Sequence, residues 1–124
     1  IACVCSNVTA FSDYPDGMAL ARIGHHAGFR DRLAKATPEE ADRIRLSLGY
    51  TDGANLVARI HAPIQIQMGG VDPVCPYPCG IVVYNRVPAG VDREFHVLPD
   101  AKHEVPGPMR ENNMRWYRKY LGIE

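Results

Sequence analysis

The stretch "IQIQMGGVDPVCPYPCG", residues 64–80, sets Ile64, Ile66 and Met68 in alternation with Gln65 and Gln67, then breaks on two glycines. A period of two is the signature of a β-strand, and Gly69–Gly70 end it in a turn. Asp72 follows, then Pro73, Cys75, Pro76, Pro78 and Cys79. Two chemistries compete for this loop: a thiol or metal site on Cys75 and Cys79, or a carboxylate presented at a strand end.

The segments on either side decide the fold class. Residues 1–5 form a continuous apolar run and read as a short buried strand. The segment "FSDYPDG" (11–17) carries turn chemistry, with Pro15 and Gly17 expected to break any regular element. From Met18 to Ala36 the pattern is helical, divided by Gly24 and Gly28 into two short helices. In "TPEEADRIRLSLG" (37–49), Thr37 caps, Pro38 takes the first helical position and Glu40 completes a capping box. Ala41, Ile44 and Leu48 form its apolar stripe, and Gly49 is expected to stop it. A further helix starts at Thr51 or Asp52, with Leu56, Val57 and Ile60 inward. Residues 78–87 predict a helix and "REFHVLP" (93–99) a third strand. The last helix ends at Gly122, with Met114, Tyr117 and Leu121 on one face. Strand, helices, strand, helix, strand, helix is an α/β order, and helical crossovers predict parallel pairing.

Composition excludes several classes. The 124 residues suffice for one domain, which buries roughly two-thirds of its unfolded surface. Fourteen basic residues balance fourteen acidic ones, leaving none of the positive excess that a nucleic-acid binder needs to displace counterions. The basic, aromatic "MRWYRKYLG" therefore reads as a helix with a solvated face. No run of eighteen apolar residues is present to span a bilayer. Four cysteines are too few and too unevenly spaced for a secreted disulfide scaffold, and they leave the compartment open.

In a parallel sheet, functional side chains gather beyond the carboxyl ends of the strands. Asp72 stands there after the second strand, and His103 follows the third in "LPDAKHE". Neighbouring strands would bring the two together as the acid and base of a triad; otherwise they are a surface aspartate and a loop histidine that never meet. No nucleophile is visible, since Ser6, Ser12, Ser47 and Cys5 lack the flanking glycines of a Gly-x-Ser-x-Gly elbow. In such hydrolases the chain order is Ser, Asp, His. A sequence opening mid-strand as "IACVCSNV" with only the last two is expected of a piece of a longer protein. The cysteines fit other chemistry poorly. Cys75 and Cys79 are four apart rather than in a Cys-x-x-Cys pair, and no second pair completes a zinc site. Cys3 and Cys5 read as small core residues, and the adjacent His25 and His26 as a poor metal pair.

From Tyr50 onward, "YTDGANLVARIHAPIQIQMGGVDPVCPYPCGIVVYNRV" and "REFHVLPDAKHE" resemble the acetyl xylan esterases and cephalosporin C deacetylases of carbohydrate esterase family 7. The resemblance implies the C-terminal portion of an α/β-hydrolase fold, with about three parallel strands and flanking helices. It divides the chain into a strand after the nucleophile elbow (1–10), a helical cap-like insertion (11–61), and Asp-loop and His-loop strands with a C-terminal helix (62–124). It implies Asp72 as catalytic acid, His103 as catalytic base and Cys75 as a non-catalytic loop residue. Lys102 stands where the family carries glycine, which predicts a less tightly turned His loop. Gln65 and Gln67 are more polar than a central strand usually allows. The activity implied is serine-dependent deacetylation of carbohydrate or similar small esters, with no cofactor and no metal. Residues 1–124 alone, lacking the serine, are expected to be inactive. The edge of strand 1–5 is expected to pair with an N-terminal half or with a second copy in a homo-oligomer. The alternative is a non-catalytic binding module on the same scaffold.

Overall fold

The computed structural model describes residues 1–123. Three parallel strands, β1 (Val4–Asn7), β2 (Ile64–Gly69) and β3 (Arg93–Leu98), lie in the order β1-β2-β3. Asn7 pairs with Gln67, and Gln67 with His96, so all three strands point the same way and end at one edge. Between β1 and β2 run the helices α1 (Tyr14–Leu20), α2 (Gly24–Leu33), α3 (Pro38–Thr51) and α4 (Gly53–Leu56). Helix α5 (Tyr77–Arg86) joins β2 to β3, and α6 (Gly107–Leu121) closes the chain.

The alternation in β2 sorts its side chains between two layers. Ile64, Ile66 and Met68 pack with Val83, Val87, Val57, Ala54 and Cys75 in the core under α4 and α5. Gln65 and Gln67 face α6 and are fully buried. The Gln67 amide donates to the Met109 carbonyl at 3.0 Å and to Asn113 Oδ1 at 2.8 Å, and Asn112 donates back to Gln67 Oε1 at 2.9 Å. Gln67 is tolerated in this central strand because the helix above it offers amides instead of methyl groups. Helix α6 turns inward a face other than the one that groups Met114, Tyr117 and Leu121. Met109 and Trp116 are its buried apolar residues, while Met114 and Leu121 are exposed.

Three boundaries differ from the sequence reading. The first strand is Val4–Asn7, shifted past the apolar start because pairing with Ile64–Gln67 sets its register. Residues 14–17 are helical in spite of Pro15 and Gly17. Pro15 lies in the first turn, where no intrahelical donor is required, and a Cβ on Gly17 would lie 2.6 Å from the His26 ring. Gly17 is thus the gap that admits His26. Helix α3 begins with the expected capping box but runs through Gly49 to Thr51. It stops at Asp52, whose carboxylate accepts the Asp13 and Tyr14 N–H groups at 2.7 and 3.1 Å and the Ala54 N–H at 2.8 Å. One buried side chain therefore caps both α1 and α4. Of the trio expected inward after it, Val57 is buried and Leu56 exposed.

Candidate active site

The glycine pair at the end of β2 brings two loops together. A Cβ on Gly69 would lie 2.4 Å from the Lys102 carbonyl oxygen, and one on Gly70 would lie 2.4 Å from that of Pro99. Only hydrogen fits between the end of β2 and the loop after β3. Gly70 N–H donates to the Leu98 carbonyl at 2.8 Å and Val71 N–H to that of Ala101 at 3.1 Å, locking the approach.

Asp72 enters this junction with its side chain fully buried. Its Oδ1 accepts the Val74 and Cys75 N–H groups at 2.8 and 3.0 Å. Its Oδ2 lies 2.9 Å from His103 Nδ1. An ionised carboxylate only accepts, so His103 Nδ1 carries the shared proton. Nε2 is left with its lone pair, on a ring that is 42% exposed. The arrangement orients an imidazole by a dry carboxylate and leaves its basic nitrogen open to a reactant. The loop turns without glycine at position 102: among the described residues, the non-glycine positive φ angles belong to Val8, Phe11 and Asp13.

The thiols carry no such chemistry. Burial pushes Cys75 and Cys79 up to about 12, helped by the negative Asp72 near the first and by Asp13 and Asp16 near the second. Both therefore stay protonated and poorly nucleophilic. Asp72, Cys75 and His103 do offer donor atoms within 4.8 Å of one another. A metal there would have to strip the Cys75 proton and open the Asp72–His103 hydrogen bond, so the donor set suits the proton-bearing pair better. The serines are engaged or enclosed elsewhere. Ser6 bonds to Thr9, Ser47 to the Arg43 carbonyl on exposed α3, and Ser12 is fully buried.

Residues 11–120 match the family described as acetyl xylan esterase (AXE1). The chain belongs to the acetyl xylan esterase family. Solved structures of the same description share its fold. The acetyl xylan esterase from Paenibacillus sp. R4 superposes with a TM-score of 0.85 at 20% identity, over 97% of this chain and 38% of that one. Acetyl xylan esterase 1 from Thermoanaerobacterium sp. JW/SL YS485 gives 0.83 at 24% identity, with the same coverages. A hydrolase from Pseudomonas aeruginosa PA01 is more distant, at 0.54 and 16% identity, over 99% of this chain and 56% of that one. No curated protein sequence matches the chain. The chain thus spans well under half the length of the two esterase structures, and its three parallel strands with flanking helices are those of an α/β-hydrolase-like esterase fold.

Sequence reasoning missed how the start of α2 meets the Asp72 loop. Arg22 and Ile23 N–H groups both donate to the Pro73 carbonyl, at 2.9 and 3.2 Å, clamping the start of α2 to the Asp72 loop. A Cβ on Gly24, whose φ is +83°, would lie 2.7 Å from the Val74 side chain. His25 and His26, adjacent in the chain, have ring centroids 4.2 Å apart. Only Gly24, already visible as a helix breaker, signalled the close approach.

Proposed function

We propose that residues 1–124 supply the acid and base of a serine carboxylic-ester hydrolase that removes acetyl groups from carbohydrates or similar small esters. The observation that carries this reading is the 2.9 Å bond between His103 Nδ1 and the buried Asp72 carboxylate, whose other oxygen is held by two backbone amides. A serine from outside residues 1–124 attacks the ester carbonyl while His103 Nε2 takes its proton. The imidazolium, stabilised by Asp72, then protonates the leaving sugar oxygen as the C–O bond breaks. Water repeats the cycle on the acyl-serine, releasing acetate and restoring the serine hydroxyl. Nothing in this sequence of steps requires a metal or an organic cofactor.

Residues 1–124 on their own are accordingly expected to be inactive, because loss of the nucleophile leaves only weak residual catalysis. Hydrolysis of 4-nitrophenyl acetate by the purified 124-residue chain tests this against the full-length protein. Turnover by the short chain that disappears in His103→Ala would refute the missing nucleophile. Absence of turnover by the full-length protein on any acetate ester would refute the hydrolase reading. In the described sheet β1 has β2 on one side only. Its other edge is the place for an N-terminal strand of the same protein or for a second copy.

A further inference from the structure

Among the described residues, the non-glycine positive φ angles all lie in the loop after β1. Val8, Phe11 and Asp13 have φ of 44°, 52° and 50°. Side-chain-bearing residues enter this left-handed region at a cost in backbone strain, and they persist there only where the surroundings enforce it. The enforcement is visible. Val8 N–H donates to the Gln67 carbonyl at 2.8 Å, and the Phe11 carbonyl accepts Gly53 N–H at 2.8 Å. Thr9 N–H reaches the Met68 sulfur at 3.3 Å, and Asp52 holds the Asp13 and Tyr14 amides.

What the loop presents is an aromatic ring. Phe11 is 54% exposed and rests on His25, with centroids 4.6 Å apart and planes inclined by 33°. The pair lies on the active-site edge. The loop leaves the carboxyl end of β1 beside that of β2, and the segment bearing His25 is clamped to Pro73 and Val74. His103 is near enough to help hold the His25 imidazole below its ordinary pKa, second to burial.

We propose that Phe11, backed by His25, is the platform on which the sugar ring of the ester stacks beside His103. This rests on the carbohydrate-deacetylase reading and extends it by naming the leaving-group subsite. A pyranose presents a face of C–H groups carrying partial positive charge, and an aromatic face is the negative side of its quadrupole. A ring fixed by a locked loop loses little conformational freedom when a ligand settles on it, so the contact is not offset by ordering.

The test uses the full-length protein and xylobiose, which carries no ester, with binding read by calorimetry for the wild type, Phe11→Ala and Phe11→Trp. Phe11→Ala is expected to weaken xylobiose binding by about fivefold, the scale of one aromatic contact, with Phe11→Trp restoring it. The ratio of kcat/KM on acetylated xylobiose to that on methyl acetate is expected to fall by about the same factor. No xylobiose binding by the wild type, an unchanged dissociation constant in Phe11→Ala, or an unchanged ratio would overturn the proposal. So would loss of folding in both variants, which would mean that Phe11 is covered by another part of the protein. Phe11-dependent binding of xylobiose by a protein that turns over no acetate would sink the deacetylase reading and leave the platform standing.

Discussion

Asp72→Asn separates the orienting role of the carboxylate from its shape. The asparagine side chain is nearly isosteric, but its two ends are no longer equivalent. The end now occupied by Oδ1 receives the Val74 and Cys75 N–H groups at 2.8 and 3.0 Å. Placing the amide nitrogen there would set donors against two donors, and each orphaned buried N–H costs about 1–3 kcal/mol. The carbonyl oxygen therefore takes that end and the NH₂ group faces His103 Nδ1, where the carboxylate stood 2.9 Å away. His103 Nδ1 must then accept, so the ring proton moves to Nε2 and removes the lone pair that the proposed reaction with a serine needs. In serine triads this tautomer error costs about 10⁴-fold in rate, equivalent to about 5 kcal/mol. The assay is kcat/KM on a small acetate ester in the protein bearing the proposed serine, paired with ¹⁵N chemical shifts of His103 to read the tautomer. An Asp72→Asn enzyme retaining more than about a tenth of wild-type kcat/KM, with the proton on Nε2, would refute the reasoning.

Other substitutions test the supports around the pair. Gly70→Ala puts a Cβ 2.4 Å from the Pro99 carbonyl oxygen and 2.8 Å from its Cα, contacts that no rotamer relieves. It is expected to displace the His103 loop and lower kcat/KM by about 100-fold or more, whereas the open position at Gly107, with nothing within 4 Å, should tolerate alanine in the same assay. Asp52→Ala removes the acceptor of three N–H groups and is expected to cost about 3 kcal/mol or more in urea unfolding. Asp13 tests the sign of a linkage. Burial first, then the charges of Asp16 and Asp52, raise its folded pKa from 3.8 to about 6. Its stabilising contribution is therefore complete below pH 4 and disappears as pH rises through 6. Asp13→Asn should match the wild type in the acid arm and unfold at higher denaturant above that pH. The opposite ordering would contradict the burial of a carboxyl group there.

Much of this protein is legible in local pattern. The two-residue period of 64–68, the capping box at Thr37 and Glu40, and the Gly122 stop each depend on residues within one or two turns of chain, and each stands where expected. Where the chain bends against its propensities, distant residues are the cause. Pro15 and Gly17 belong to a helix because Asp52 caps it from 38 residues away and because His26 needs the space. The inner face of α6 is shared between the buried Met109 and Trp116 and the bonds that Gln65 and Gln67 make to its backbone, a combination its own periodicity does not show. Phe11 and His25 carried no signal at all, since a left-handed backbone at a non-glycine residue is imposed from outside.

The sequence by itself determined that this is an α/β chain with Asp72 and His103 at strand ends, because strand period and turn glycines are local. It also determined the family resemblance that those loops carry. Only the tertiary structure decided that the two side chains meet, since the contact needs β2 and β3 to be parallel neighbours. It needs Gly69 and Gly70 pressed against the carbonyls of Pro99 to Lys102 as well. Strand adjacency is a property of packing over about thirty residues of intervening chain, which no periodicity encodes. A hydrogen bond between two loops is stable only where such packing brings the donor and the acceptor together.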